Sequence, residues 1–184
     1  MYGMIHKAAR DFAMQSMEQA TWNAIQQHAG LDSEHFISGE HYSDELTFRL
    51  VGTLAEHLDI PVPQLLTMFG RYWISFTEKS DYSAALAMAG DDLVTFLRNL
   101  DDLHHGIQAT MPEASLPSFT VTRADADGIE LIYISEREGL ETFVEGLLQG
   151  LMAKFSEGGT ISHQRGDSGV IFKIDRSEVA DRAA

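Results

Sequence analysis

Hydrophobic residues recur every three to four positions through most of the first 111 residues, which is the spacing of amphipathic helices. The pattern predicts helical structure over residues 4–28, a second helix from about Asp44 to Leu58, and a third that begins at the prolines of DIPVPQ. In the first of these segments the predicted inward positions are Phe12, Met17, Trp22 and Ile25. Gly70 interrupts the third helical pattern. Because glycine costs about 1 kcal/mol relative to alanine inside a helix, it indicates a break, a hinge or a close contact there.

A long helix is predicted from about Asp91 to Met111, after which the period changes from helical to alternating. Apolar and polar residues alternate on both sides of DADG in FTVTRADADGIELIYISE and on both sides of RGDSG in TISHQRGDSGVIFKID, as in two β-hairpins. Between them, GLETFVEGLLQGLMAKFS returns to helical spacing. The predicted fold is α+β, with a helical N-terminal lobe and a small antiparallel four-stranded sheet carrying one packed helix. We expect a single domain over residues 1–176 and a short tail over 177–184.

The amino-acid composition limits the partners and metal ligands that the protein could have. A formal net charge of -15 argues against nucleic acid as a partner, because phosphate binding needs clustered lysine and arginine. The chain has no cysteine, so any metal must be held by histidine, carboxylate or methionine side chains. No apolar run is long enough to cross a bilayer, and the first twelve residues carry no export signal. We therefore predict a cytoplasmic protein.

One histidine interrupts the apolar stripe of the long helix. At about 100° per residue, His104 shares a face with Leu93, Phe96, Leu97, Leu100, Ile107 and Met111. His105 is turned away and should face solvent. An inward histidine is either a core residue satisfied by one hydrogen bond or a ligand for a metal or cofactor, and the spacing alone leaves both open.

A second polar row follows in LIYISER. Alternation along a strand places Tyr133, Ser135 and Arg137 on one face. Two hydroxyls and a guanidinium in line suit an anion with several oxygens. The alternative is a solvated edge with a surface salt bridge from Arg137 to Glu136 or Glu138.

Taken together, the inward histidine and the Tyr-x-Ser-x-Arg row about thirty residues later resemble the heme nitric oxide/oxygen binding (H-NOX) family. These gas-sensing heme domains occur in bacteria and in the β subunit of soluble guanylate cyclase. The resemblance runs through MYGMI, IPVPQLLTMFG, LHHGIQATMPEASLPSF, YISEREGLETFVEGLLQG and ISH, and so covers nearly the whole chain. It implies a heme b cofactor held between the two lobes.

The resemblance also implies roles for individual residues. His104 matches the axial ligand of the heme iron, and Tyr133, Ser135 and Arg137 match the residues that hold the heme propionates. Ile5 and Pro117 match positions that press on the porphyrin and bend it. Gly70 falls in a helix where some members have a glycine that lets the helical lobe move.

The resemblance also implies that gas selectivity depends on the residues across the iron from His104. Oxygen-binding members place a tyrosine there, whose hydroxyl donates a hydrogen bond to bound O2, and Phe143 occupies that position here. Two further polar positions fall near Ala9 and Trp73, of which only Trp73 has a donor. The resemblance therefore implies a ferrous heme that binds NO and CO and excludes O2.

The implied function is a gas sensor. NO weakens or breaks the bond between iron and His104, and the resulting shift regulates a separate partner, either a histidine kinase or a cyclic-di-GMP synthase or phosphodiesterase. An oxygen or heme-level sensor of the same fold is the alternative. A cofactor-free interaction module would leave His104 and the donor row unexplained. The sequence has no nucleophile elbow, His-Glu-x-x-His, P-loop or Gly-x-Gly-x-x-Gly motif, so an enzyme is not predicted.

The remaining histidines carry weaker signals. His163 resembles a histidine that binds structural zinc together with cysteines in some members. Because the chain has no cysteine, we predict no zinc site. The others are predicted to be surface or capping residues: His6, His28, His35, His41 and His57.

Overall fold

A computed structural model of the chain describes residues 1–31 and 36–176. The helices are α1 (Gly3–Ala13), α2 (Gln19–His28), α3 (Asp44–Leu58), α4 (Val62–Glu78), α5 (Ser83–Ala89), α6 (Leu93–Arg98), α7 (Leu100–Thr110) and α8 (Glu141–Lys154). The strands are β1 (Ser118–Ala124), β2 (Gly128–Ile134), β3 (Thr160–Gly166) and β4 (Gly169–Asp175). The order along the chain confirms the predicted α+β class. His35 and the predicted tail, residues 177–184, lie outside the described residues.

Two predicted helices are each divided in the structure. Residues 4–28 form α1 and α2, joined by a turn, with Trp22 and Ile25 buried and Phe12 and Met17 only partly buried. The long helix from Asp91 to Met111 is interrupted at Asn99, whose side-chain amide donates to the carbonyl of Ala89 at 2.9 Å. This bond reaches back to α5, so the interruption depends on a contact between helices and is not visible in apolar spacing.

The sheet has strand order β1-β2-β4-β3, with every neighbouring pair antiparallel. Both predicted hairpins are confirmed. Alternate residues of the central strands are buried against α8 and α6, including Leu131, Tyr133 and Phe172, whereas Ile134 is half exposed on the other face.

Two apolar cores build the molecule. One joins α1, α2, α3 and the first half of α4, and the other joins α5, α6, α8 and the sheet. Trp73 packs against both cores. A cavity of about 300 Å³ lies between them and is lined by residues of both. Among the described residues, no helix has the length and apolar character needed to span a membrane.

Helices α4 and α8 cross at glycines. A methyl group at Gly70 would lie 2.3 Å from the carbonyl oxygen of Phe143, and one at Gly146 would lie 2.1 Å from the carbonyl oxygen of Thr67. The Thr67 hydroxyl also donates to the carbonyl of Thr142 at 3.1 Å. Because α4 is continuous through Gly70, this glycine marks a close contact and does not break the helix.

Candidate functional site

His104 lies on the wall of the central cavity, on α7. Its Nδ1 is 2.8 Å from the carbonyl oxygen of Pro117. Since a carbonyl can only accept, Nδ1 carries the proton and Nε2 keeps its lone pair, which is the arrangement of a metal-binding histidine. Burial lowers the pKa of His104, against opposing contributions from Pro117 and Asp101, so the ring is neutral at physiological pH.

The apolar side of helix α7 faces the cavity and also the core of α5, α6, α8 and the sheet, against which Leu100 and Leu103 pack. Although all of α7 is described, none of its residues is fully buried. Its stripe lines the cavity through Leu100, Leu103, His104 and Ile107. In α6, Leu93, Phe96 and Leu97 are buried, and the last two also line the cavity. The predicted stripe is therefore buried in its α6 half and only partly buried in its α7 half. His105 is exposed, as predicted, and its Nδ1 is 2.7 Å from the carbonyl oxygen of Asp101.

Two hydrogen bonds tie α7 to β1 near His104. The carboxylate of Asp101 accepts from the hydroxyl of Ser118 and from the backbone N–H of Phe119, both at 2.7 Å. Sequence reasoning did not single out Asp101. Asp101 lies one turn before His104. Its spacing from Pro117, Ser118 and Phe119 was the only feature of the sequence that could have indicated its role.

Tyr133, Ser135 and Arg137 all line the same cavity, but not as one strand face. Strand β2 ends at Ile134, and the Ser135 hydroxyl accepts from the backbone N–H of Arg137 at 3.0 Å in the turn that follows. The prediction of a continuous strand was wrong because this local hydrogen bond ends the extended pairing. Burial raises the pKa of Tyr133, which keeps its hydroxyl protonated, while a hydrogen bond with Ser135 acts in the opposite direction.

The carboxylate that pairs with Arg137 is Asp44, at the start of α3. Nε of Arg137 lies 2.6 Å from Oδ2 and Nη2 lies 3.3 Å from Oδ1 of Asp44, and Nη1 donates to the carbonyl of Ser115 at 2.5 Å. The alternative of a surface pair with Glu136 or Glu138 is therefore wrong. Within the described part of the chain, these bonds use three of the five guanidinium N–H groups, which leaves two for an anion.

The two residues expected to flank a flat cofactor lie on the cavity wall. Ile5 reaches it from α1, and Pro117 reaches it from the loop before β1. Ile5 is partly buried against the helical core. The carbonyl of Pro117 also holds His104, so one residue both faces the cavity and orients the histidine.

The wall opposite His104 is formed by α1, α4 and α8. Phe143 of α8 lines the cavity, with its ring centroid 5.6 Å from that of Phe69. Ala9 and Trp73 also line it. The Trp73 ring contacts Phe69 and Phe76, with centroid separations of 6.2 and 5.9 Å. Large aromatic side chains therefore form part of this wall, beside aliphatic ones.

The prediction for His6 was wrong. It is fully buried on α1, where its Nε2 lies 3.0 Å from the hydroxyl of Thr47 on α3. No pattern on α1 indicated its burial, because its partners Thr47, Phe36 and Tyr42 lie outside that helix. Three other histidines are exposed, as predicted: His28, His41 and His57.

His163 lies on β3, with Nδ1 3.5 Å from a carboxylate oxygen of Glu145. In residues 1–31 and 36–176 no group of three or more His, Asp or Glu side chains could hold a metal ion. The absence of zinc stays a prediction.

The donor set fits a heme. The cavity has one neutral imidazole with a free Nε2 lone pair, apolar walls, and hydroxyl and guanidinium donors at one edge. Iron is held by such an imidazole, and the propionates need such donors. His104, Tyr133, Ser135 and Arg137 are the residues that would hold the group.

The chain is similar to soluble guanylate cyclases of animals. It is 31% identical over 156 residues to soluble guanylate cyclase gcy-35 of Caenorhabditis elegans and 26% identical over 151 residues to gcy-31 of the same organism. These alignments cover 81% and 82% of this chain but 22% of each cyclase, so the chain spans about a fifth of the length of these relatives.

The fold matches solved structures over almost its full length. A crystal structure of an H-NOX protein from S. oneidensis in the Fe(II)NO ligation state superposes with a TM-score of 0.85 at 23% identity and covers 95% of this chain and 98% of that one. The Fe(II) unliganded H-NOX protein from K. algicida gives 0.82 at 24% identity and covers 96% of each chain. Because the model of the Haem-NO-binding family matches residues 2–163, the chain belongs to this family of gas-sensing domains, whose cofactor is heme b.

Proposed function

We propose that this domain senses NO through a ferrous heme whose axial ligand is His104. The observation that carries the proposal is the hydrogen bond from Nδ1 of His104 to the Pro117 carbonyl on the cavity wall. It fixes the tautomer and orients the ring, which are the two requirements of an axial ligand. When bound, ferrous heme would supply the iron at which NO or CO binds, and His104 would hold that iron.

Exclusion of O2 is assigned to Phe143. Stable oxygen binding needs a donor beside the partly negative bound oxygen, whereas NO and CO bind without one. Phe143 presents only carbon to the cavity, and its ring is held against Phe69. We therefore propose that the protein binds NO and CO and discriminates against O2.

The signal is proposed to begin with release of His104. The apolar side of helix α7 lines the cavity. Hydrogen bonds from His104 to Pro117 and from Phe119 to Asp101 join the helix to β1 and the loop before it. If His104 were released from the group, α7 would lose one restraint, and Ile5 and Pro117 would press on the group less firmly. The populations of two conformations then shift, and a separate signalling protein reads the change. A histidine kinase or a cyclic-di-GMP synthase or phosphodiesterase is the proposed partner, and the domain acts as a regulator and not as an enzyme.

A second candidate is an oxygen or heme-level sensor. The observation that favours it is Trp73, whose indole lines the same cavity and carries an N–H donor. In this alternative, Trp73 replaces the missing hydroxyl at position 143.

Absorption spectra of the ferrous, oxygen-free protein before and after addition of NO, CO or air test both candidates. We expect changes with NO and CO and none on brief exposure to air. Phe143→Tyr should gain O2 binding, whereas the matched Phe143→Leu should not. Stable O2 binding by the wild type that disappears in Trp73→Phe would support the second candidate. A protein that cannot be loaded with heme would overturn both.

A further inference from the structure

A buried polar pair joins α1 to α3 beside the cavity. His6 has no exposed surface and Thr47 is 4% exposed, and their Nε2 and Oγ1 atoms are 3.0 Å apart. Polar groups in an apolar core cost stability unless they are hydrogen-bonded, so this bond constrains how the two helices fit together. The proposed function assigns no role to either side chain.

The surroundings of His6 hold its ring in one orientation. The ring stacks on Phe36, with centroids 4.8 Å apart and planes 22° apart, and meets Tyr42 nearly edge-on at 4.9 Å. The Thr47 hydroxyl lies 3.4 Å from the Ser43 carbonyl, to which it can donate, so His6 donates from Nε2. Nδ1 has no hydrogen-bond partner among the described residues. Burial, with a smaller contribution from the positive amino group of Met1, lowers the pKa of His6 to about 4, so the ring is neutral at physiological pH.

The pair lies between two residues of the heme site. Ile5 precedes His6 on α1, and both line the cavity. On α3, Thr47 stands one turn after Asp44, which holds Arg137 at the cavity edge. Helix α3 is thus bonded to Arg137 of the donor row at Asp44 and to α1 one turn later, next to Ile5.

We propose that His6 and Thr47 form a positioning pair that sets how firmly Ile5 presses on the heme. The inference rests on the proposed function, because it requires heme in the cavity. Distortion of the macrocycle is one of the ways in which a protein tunes the reduction potential of heme. The pair acts through Ile5 and α1, and its loss should therefore change the potential of the cofactor.

The test is the Fe(III)/Fe(II) midpoint potential of the heme-loaded protein. Thr47→Val removes the hydroxyl and keeps the shape, and His6→Phe keeps an aromatic ring without the donor. Each should change the oxidation equilibrium about threefold, or roughly 28 mV for a one-electron couple in which tenfold is 59 mV. The double variant should show no further shift, and amide hydrogen exchange in α1 should increase in both single variants.

Two controls separate positioning from general destabilisation. Thr47→Ser keeps the hydroxyl and should retain the wild-type potential. Thr67→Val removes the hydroxyl that bonds α4 to the Thr142 carbonyl, at a residue that does not line the cavity, and should also leave the potential unchanged. If Thr47→Val loads with heme and keeps the wild-type potential, the proposal is wrong while the proposed function stands. A wild type that takes up no heme overturns both.

Discussion

The two walls of the cavity are built by different means. The wall formed by α7, the loop before β1 and the turn after β2 carries directed hydrogen bonds at His104, Tyr133, Ser135 and Arg137. The opposite wall, formed by α1, α4 and α8, is shaped by aromatic side chains and by backbones in contact at Gly70 and Gly146. The first wall can hold a cofactor in one orientation, whereas the second can only limit what fits beside it. We therefore propose that recognition of heme and selection of gas depend on separate parts of the chain.

The largest effect is expected at the first wall. His104→Ala removes the proposed axial ligand, and a loss of about 3 kcal/mol corresponds to roughly 100-fold weaker heme binding. His105→Ala is the matched control, because this neighbouring histidine is exposed and bonds only the carbonyl of Asp101 among the described residues. Titration of both variants with heme measures the difference, and equal affinities would remove the distinction between the two walls.

The second wall should be sensitive to acid. In the folded protein the pKa of His6 is about 4, below its ordinary value of 6.5, so the neutral ring stabilises the fold fully above pH 6.5. Between pH 6.5 and 4 the unfolded chain binds more protons, and stability should fall by up to about 3 kcal/mol. Urea unfolding across this range measures the slope. His6→Phe should flatten it, and an unchanged slope in that variant would contradict the assignment.

Steric change at the crossing of α4 and α8 should also affect the second wall. Gly146→Ala places a methyl group 2.1 Å from the Thr67 carbonyl, and such overpacking costs about 1–3 kcal/mol. Gly52→Ala is the control, since nothing lies within 4 Å of its added methyl group on α3, and it should stabilise by about 0.5–1 kcal/mol. Thermal unfolding distinguishes them, and equal melting temperatures would show that α8 can move away from α4 without cost.

The smallest effect concerns the ion pair that joins α3 to the donor row. Burial raises the pKa of Asp44, but hydrogen bonds from Arg137 and the Met1 amino group outweigh it, and the pKa lies below its ordinary value. Because this pair is partly exposed, Asp44→Asn should cost about 0.5–1 kcal/mol, and less in high salt. Glu45→Gln, on a carboxylate 3.7 Å from Arg49 and largely exposed, should have no measurable effect. A salt-independent loss in Asp44→Asn would exclude an electrostatic cause.

Local patterns predicted most of the fold and part of the site. The bounds of α3, both hairpins and the inward direction of His104 follow from periodicity, because burial repeats with the period of the helix or strand. The pairing of Arg137 with Asp44 joins residues 93 positions apart and leaves no local signature. Burial of His6 depends on contact between α1 and the segment around Phe36 and Tyr42, which a pattern on α1 alone does not reveal.

The contact at Gly70 shows a different limit. The sequence indicated that something special occurs there but left a break, a hinge and a close contact open. Only the position of α8 decides among them, since it is the Phe143 carbonyl that excludes a side chain at Gly70. The contact with α8 therefore explains why a glycine is needed at position 70. The same contact places Phe143 on the cavity wall.

The bond between His104 and the heme iron is the central claim, and its stretching vibration in a resonance Raman spectrum tests it most directly. We would record the ferrous protein with and without ¹⁵N-labelled histidine, before and after NO, beside His105→Ala. The account predicts an iron–histidine band that shifts with the label, persists in His105→Ala and disappears with NO. A band that is insensitive to the label, or one that remains after NO binds, would contradict it.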